Sequence, residues 1–352
     1  MIDREVDFMR SRYILCERCG WKWKVSDAWL GKFISDQEGQ CPECGARHLE
    51  ENAHLRVDGD PKDAARNVSK LTSLYWYHTS THPDWPKKVY CPREEWSPEF
   101  REIMKREQPD AGSVEEQRDV ALHVGTYEAA VHNMIRRIGF ECDGGKQFYL
   151  YRVVLNEAAV IADDIPLDPA PAFGKLKFSS EYFPQGADIL RYINLHEDPG
   201  SLSLALRREA IRSVVRYKIP IWTGAAPSLV EEVADQIEHA KREPLPPKWK
   251  WEIFDCLVIG GHDGPTPLEK VKNEVCQELA KLFPRAIYEL GGAEAIGALF
   301  NDEDVRGSLS KIFALVWMIN CSQAVIEELN SGELVTVVHG ERFEHSPSDA
   351  PF

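Results

Sequence analysis

The chain lacks any long apolar run. No stretch approaches the ~18 uninterrupted apolar residues of a membrane-spanning helix, so nothing in it is expected to span or anchor in a bilayer. Its first residues, Met1-Ile2-Asp3-Arg4-Glu5, are charged, and no apolar segment follows them. A secretion signal is therefore not expected, and the cytoplasm is the expected compartment. Basic charge is in deficit: 42 lysines and arginines face 57 aspartates and glutamates, a formal net charge of -15. That balance argues against a bulk electrostatic grip on DNA, RNA or an anionic membrane and leaves room only for a local basic patch. There is no internal repeat. Gly260-Gly261-His262-Asp263-Gly264 lacks the lysine and spacing of a phosphate loop and reads as a turn. Cys91, Cys142, Cys256, Cys276 and Cys321 have neither ligand spacing nor an evident base, and are expected as buried thiols.

What is present is enough for a sizeable core. The 352 residues are 43% hydrophobic, and the length fits roughly two to three units. Residues 1–55 carry paired cysteines. Residues 56–225 alternate short strands and helices. Residues 226–352 read as a helical C-terminal region, with apolar spacing in Val230–Ile237, Leu268–Phe283 and Ser308–Leu329. Pro265 and Pro267 give a helix start signal, Pro244-Leu245-Pro246-Pro247 reads as a stiff connector, and Ser346–Pro351 as a frayed tail. In the middle region Gln147–Leu155 reads as a strand, and Thr126–Ile138 as a helix with Thr126 as its N-cap.

Cys16-x2-Cys19 and Cys41-x2-Cys44 are separated by 21 residues, and Gly20 and Gly45 follow the pairs. Two knuckles with four thiolates predict a zinc ribbon, and four thiolates leave no open position for catalysis, so the zinc is expected to be structural. Between the knuckles lies Trp21-Lys22-Trp23-Lys24. Aromatic rings interleaved with lysines suit stacking on unpaired bases. The same tryptophans equally suit closing the core of a small zinc module. Both readings stay open.

Three later runs combine polar groups with strand-like flanks. Leu74-Tyr75-Trp76-Tyr77-His78-Thr79-Ser80-Thr81 is an aromatic strand ending in a histidine and hydroxyls. Leu122-His123-Val124-Gly125-Thr126 is a short strand turning into a helix, and Arg191–Leu204 reads as strand, turn, strand with Glu197 at the turn. Together they compose a one-carboxylate site, suited to chemistry in which a developing cation is stabilised. His78 and His82 have the spacing of a metal pair, but Pro83 breaks the helix that spacing would need. Taken singly, His78, His123 and Glu197 also have plain structural readings as a strand-end histidine, a strand-to-helix turn and a solvated turn acid.

In this order the runs His78-Thr79-Ser80, His123-Val124-Gly125-Thr126 with Ala129-Ala130, Val154-Leu155-Asn156, and Tyr192-Ile193-Asn194-Leu195-His196-Glu197 resemble an ADP-ribosyltransferase domain. The group includes toxins and poly-ADP-ribose polymerases, and the likeness is greatest to the domains of phage and mobile-element proteins. It covers about residues 70–216. The resemblance implies an α+β fold with a bent, split β-core, NAD as substrate, and transfer of ADP-ribose to a macromolecule by a toxin or phage-defence effector. By resemblance His78, with Thr79 or Ser80, bonds the NAD ribose, and Gly125, Thr126, Tyr192 and Asn194 complete the cofactor site. His123 stands where many relatives place a tyrosine over the nicotinamide, and Glu197 is the catalytic acid on the ribose 2′-hydroxyl. An antitoxin or inhibitor is the further partner implied. Leu195 occupies the position where arginine-directed relatives carry glutamate or glutamine, so the acceptor stays open between DNA or RNA, slightly favoured by the ribbon, and protein; plain NAD hydrolysis is the third course. Two other classes remain: a two-histidine phosphoesterase acting on cyclic phosphates through His78 and His123, and a non-catalytic zinc-ribbon adaptor.

Overall fold

The computed structural model describes residues 1–36, 39–48, 55–86, 98–107, 109, 118–141, 143–169, 176–178, 183–219, 227–252, 258–262, 264–284 and 292–336. Cys91, Cys142, Cys256 and the expected frayed tail lie outside them. The chain is a mixed α+β protein with a four-cysteine cluster near its N-terminus and helices towards its C-terminus.

The N-terminal sheet is built from β1 (Arg12–Cys16), β2 (Lys22–Val25) and β3 (Leu55–Asp58), with helix α1 (Asp27–Asp36) between the last two. β1 is central and antiparallel to both neighbours, pairing Ile14 with Trp23 on one side and Val57 on the other. Its burial alternates, so Arg12, Ile14 and Cys16 face inward, as a period of two requires. β3 carries this sheet past residue 55, the expected end of the cysteine region.

Helix α2 (Val68–Leu71) leads into β4 (Trp76–Ser80). There follow α3 (Pro98–Glu107), β5 (Leu122–Val124), α4 (Tyr127–Phe140), β6 (Tyr149–Leu155), β7 (Ile189–Ile193), β8 (Leu202–Leu206) and β9 (Ile211–Lys218). The C-terminal elements are α5 (Pro227–Arg242), β10 (Lys248–Glu252), β11 (Val258–His262), α6 (Pro267–Ala280), α7 (Ala293–Leu299), α8 (Val305–Asn320), α9 (Ser322–Leu329) and β12 (Glu333–Thr336). Strands run in the order β12-β9-β6-β4 in one antiparallel sheet and β5-β8-β7 in another. Among the described residues a bridge from Tyr77 to Gly125 joins the two, and a cleft opens between them.

α4 starts where its sequence signals it: Thr126 Oγ1 accepts from the Ala129 amide at 3.0 Å. α6 starts at Pro267, where the proline signal places it, and Thr266 and Glu269 form a reciprocal capping box across that proline. The inner side of α4, with Val131, Met134, Ile135 and Ile138, is buried against Ile296, Leu309, Ile312 and Met318 from the C-terminal helices. Tyr127 donates to the Met318 carbonyl at 2.8 Å. β12 then joins the edge of β9, so the C-terminal region covers the core and extends its sheet.

Three local expectations change. Gly260 and Gly261 lie in β11, paired with Lys250 and Trp249, because the facing Lys248–Glu252 segment supplies a strand for them to ladder with. Ser308–Leu329 is not one helix but two, α8 and α9, bent by 92° about Cys321. Cys321 is exposed and Cys276 half-buried, so neither is a fully buried thiol. Among the described residues no single helix is long and apolar enough to cross a membrane.

Candidate functional site

The four cysteines come together as the spacing predicts. Their ligand atoms all lie within 4.8 Å of one another, with Sγ separations of 3.8 Å for Cys16–Cys44 and 3.7 Å for Cys19–Cys41. A tetrahedron with zinc–sulfur bonds of ~2.3 Å has edges of ~3.8 Å, so the set fits structural zinc. The glycine amides turn back on each knuckle, Gly20 to the Cys16 carbonyl at 2.8 Å and Gly45 to the Cys41 carbonyl at 3.0 Å. Both glycines have positive φ, 73° and 69°, which a side chain would oppose. The tryptophans divide between the two expected roles. Trp23 packs edge-on to Trp29, which stacks on Phe33 within the core. Trp21 is 47% exposed. Lys22 is engaged by Asp58 and the Gly59 carbonyl, whereas Lys24 is exposed.

The cleft has a volume of about 560 Å³. His78, His123, Gly125, Tyr192, Asn194 and Glu197 all line it, although they come from β4, β5, the head of α4, β7 and the turn after β7. Thr79, Ser80 and Thr126 are not among its lining residues. Thr79 donates to the Ala130 carbonyl at 2.7 Å, Ser80 accepts from the His82 amide, and Thr126 caps α4 and donates to Asp198 at 3.1 Å. Successive side chains in a strand point to opposite faces, so Thr79 turns away from His78; Ser80 shares the face of His78 but is buried against the His82 amide.

His78 lies mid-strand, paired with Tyr151, its ring stacked on Trp85 at 4.3 Å. Burial, reinforced by the nearby Arg137 cation, pushes its pKa down to about 3, while its hydrogen bond to the His123 backbone opposes the shift. The imidazole is therefore neutral near pH 7 and serves as a hydrogen-bonding group. His123 Nδ1 lies 3.0 Å from the Tyr192 hydroxyl. Burial holds the Tyr192 phenol well above its ordinary pKa, so it keeps its proton. Gly125 is required by space: a Cβ there would lie 2.8 Å from the Ala129 Cβ and 2.9 Å from the Ser203 Oγ.

The turn presenting Glu197 is organised by Asn194. Its Oδ1 accepts from the amides of His196 and Glu197, both at 2.9 Å, and its Nδ2 donates to Ser203 Oγ at 3.0 Å. The Glu197 carboxylate reaches Arg136 Nε at 3.1 Å. Arg136 went unnoticed in the sequence, yet a signal exists. Ala129, Asn133 and Arg136 follow the Thr126 cap at helical spacing and all line the cleft. Also unforeseen is the buried ionic group behind the turn: Asp198 bonded to Arg12, and Glu128 bonded to Arg10 and to the Asp7 amide at 2.7 Å. Burial works against ionisation of Asp198, but the Arg12 and Arg10 cations outweigh it and bring its pKa to about 2.

The chain matches no protein-family model, no curated protein and no solved structure.

Proposed function

We propose that the cleft binds NAD and that Glu197 drives departure of nicotinamide, with ADP-ribose passing to a macromolecular acceptor. The observation that carries this reading is the convergence of Glu197 with His78, His123, the buried Tyr192 and Gly125 in a single cleft, whose lining also includes Glu141, Asp168 and His196. The bent β-core of ADP-ribosyltransferase type corresponds, on this reading, to the two sheets joined at Tyr77 and Gly125.

Glu197 accepts a hydrogen bond from the 2′-hydroxyl of the nicotinamide ribose. Its negative charge then lies where the ribose becomes oxocarbenium-like as the glycosidic bond stretches, and such fixed charge lowers the barrier. Neutral His78 bonds ribose hydroxyls, and the absent side chain at Gly125 lets the cleft wall pack closely on Ala129 and Ser203. His123, set by the Tyr192 hydroxyl, flanks the nicotinamide. Thr79, Ser80 and Thr126 keep structural roles. The phosphoesterase alternative needs an imidazolium general acid, and His78 with a pKa near 3 is a poor one.

The acceptor we favour is nucleic acid, met by a weak local contact: in the ribbon exposed Trp21 offers a stacking face and exposed Lys24 a cation, while the net charge of -15 argues against a broad electrostatic grip. The test is incubation with labelled NAD and separate protein, RNA and DNA pools, after NAD stabilisation is measured by thermal shift. Stabilisation by NAD, release of nicotinamide and label on nucleic acid are expected. A melting temperature indifferent to NAD rejects the reading, and label confined to protein rejects the acceptor.

A further inference from the structure

The turn that carries Glu197 is gripped from the ribbon side. Asp198, the next residue, is fully buried. Its carboxylate takes Arg12 from β1, Thr126 Oγ1 at 3.1 Å and Arg10 Nε at 3.4 Å. Arg12 Nη1 also donates to the Pro199 carbonyl at 2.9 Å. On the other side the Asp198 amide donates to His132 Nδ1 at 2.8 Å. Asp198 has φ 58°, a left-handed conformation that a residue with a side chain keeps where its surroundings over-determine it. β3 closes over the same turn: a Cβ built on Gly200 would lie 3.1 Å from the Asp58 carbonyl.

The ribbon is therefore continuous with the cleft. Arg12 and Cys16 share the inner face of β1 and are its two ends. One five-residue strand holds a metal ligand at one end and the anchor of the Glu197 turn at the other. The Glu197 side chain is only partly buried, and Arg136, its ion-pair partner, is more exposed still, so the backbone of the turn sets where its carboxylate stands.

We propose that Asp198 is the positioning residue for Glu197 and that the zinc-loaded ribbon holds Asp198 in place through Arg12. The inference rests on the reading of Glu197 as the catalytic acid. It makes the ribbon part of the catalytic unit. When Arg12 withdraws, the Asp198 carboxylate loses its most buried counter-charge and Pro199 loses its donor, and the turn relaxes away from the geometry that Asn194 templates.

The test compares the full-length wild type, Arg12→Lys and Arg12→Gln. Nicotinamide release is split into kcat and KM, and hydrogen exchange is followed in residues 194–201 against β6. Arg12→Gln is expected to lower kcat about tenfold or more with KM for NAD within about twofold, the pattern of an interaction that acts in the transition state. Exchange should rise in residues 194–201 and stay low in β6. Arg12→Lys, which keeps the charge, should recover part of both. Chelating zinc from the wild type should reproduce the Arg12→Gln exchange pattern, and this arm decides the matter where Arg12→Gln does not fold. Wild-type protection of residues 194–201 after chelation, or in folded Arg12→Gln, overturns the proposal. A wild type that releases no nicotinamide instead overturns the reading of Glu197, while the exchange measurement still decides whether Arg12 anchors the turn.

Discussion

Replacing Glu197 by glutamine separates charge from shape. The amide keeps the size of the side chain and can still meet Arg136 through its oxygen, so binding should change little. The Glu197–Arg136 pair is partly exposed, at 22% and 38% for the two side chains, and Arg136 also contacts Glu141 and Asn133. Exposed pairs of this kind contribute ~0–1 kcal/mol, so the melting temperature of Glu197→Gln should stay close to that of the wild type. Catalysis should respond differently. A group that stabilises transition-state charge in a pre-organised site is worth ~3–4 kcal/mol, by analogy with single oxyanion donors. Nicotinamide release should accordingly fall by ~10²–10³-fold while NAD still raises the melting temperature. The assay is chromatographic quantitation of nicotinamide at saturating NAD, with a melting curve on the same sample. Turnover near the wild-type rate refutes the role of the acid. A loss of turnover accompanied by loss of NAD stabilisation refutes the argument that binding and catalysis separate here.

Metal analysis of freshly purified protein should find about one zinc per chain, and Cys41→Ser should lose it; protein without zinc rejects the ribbon centre. Gly125→Ala forces a methyl against Ala129 and Ser203, and displacing Ser203 breaks its bond to Asn194. Over-packing of this kind costs ~1–3 kcal/mol, and both a lower melting temperature and weaker NAD stabilisation are expected; a wild-type melting curve would show that the neighbours yield freely. Stability should also fall as pH drops below about 6.5. Burial pushes His132 from 6.5 to about 4, so the folded state binds this proton less readily than the unfolded chain. The stabilisation from neutral His132 is therefore complete above the unfolded value and is lost between about 6.5 and 4, with half-buried His78 contributing in the same direction. Denaturant titrations between pH 7.5 and 4.5 should show a shallower fall for His132→Asn (the window set by these two values); an identical slope counts against a buried neutral His132.

Much of this protein is written locally. The two Cys-x2-Cys-Gly knuckles bring four sulfurs to tetrahedral spacing because each knuckle closes through its own backbone, from the Gly20 and Gly45 amides. Thr126 and Thr266 announce their helices because capping involves residues three apart. The turn that carries Glu197 is legible because a chain that reverses needs residues such as Asn194, Pro199 and Gly200. Other features have no local trace. That neither hydroxyl beside His78 lines the cleft depends on tertiary partners: Thr79 is drawn to the Ala130 carbonyl and Ser80 to the His82 amide. The break between α8 and α9 has no proline or glycine to mark it. Arg12 looked like one more basic residue of the ribbon, yet it crosses 186 positions to meet Asp198. Such a pair leaves no periodicity, because each partner's neighbours along the chain are indifferent to it. Only the folded chain excludes water from both charges at once, and this exclusion decides that Arg12 belongs to the turn beneath Glu197 and not to the surface.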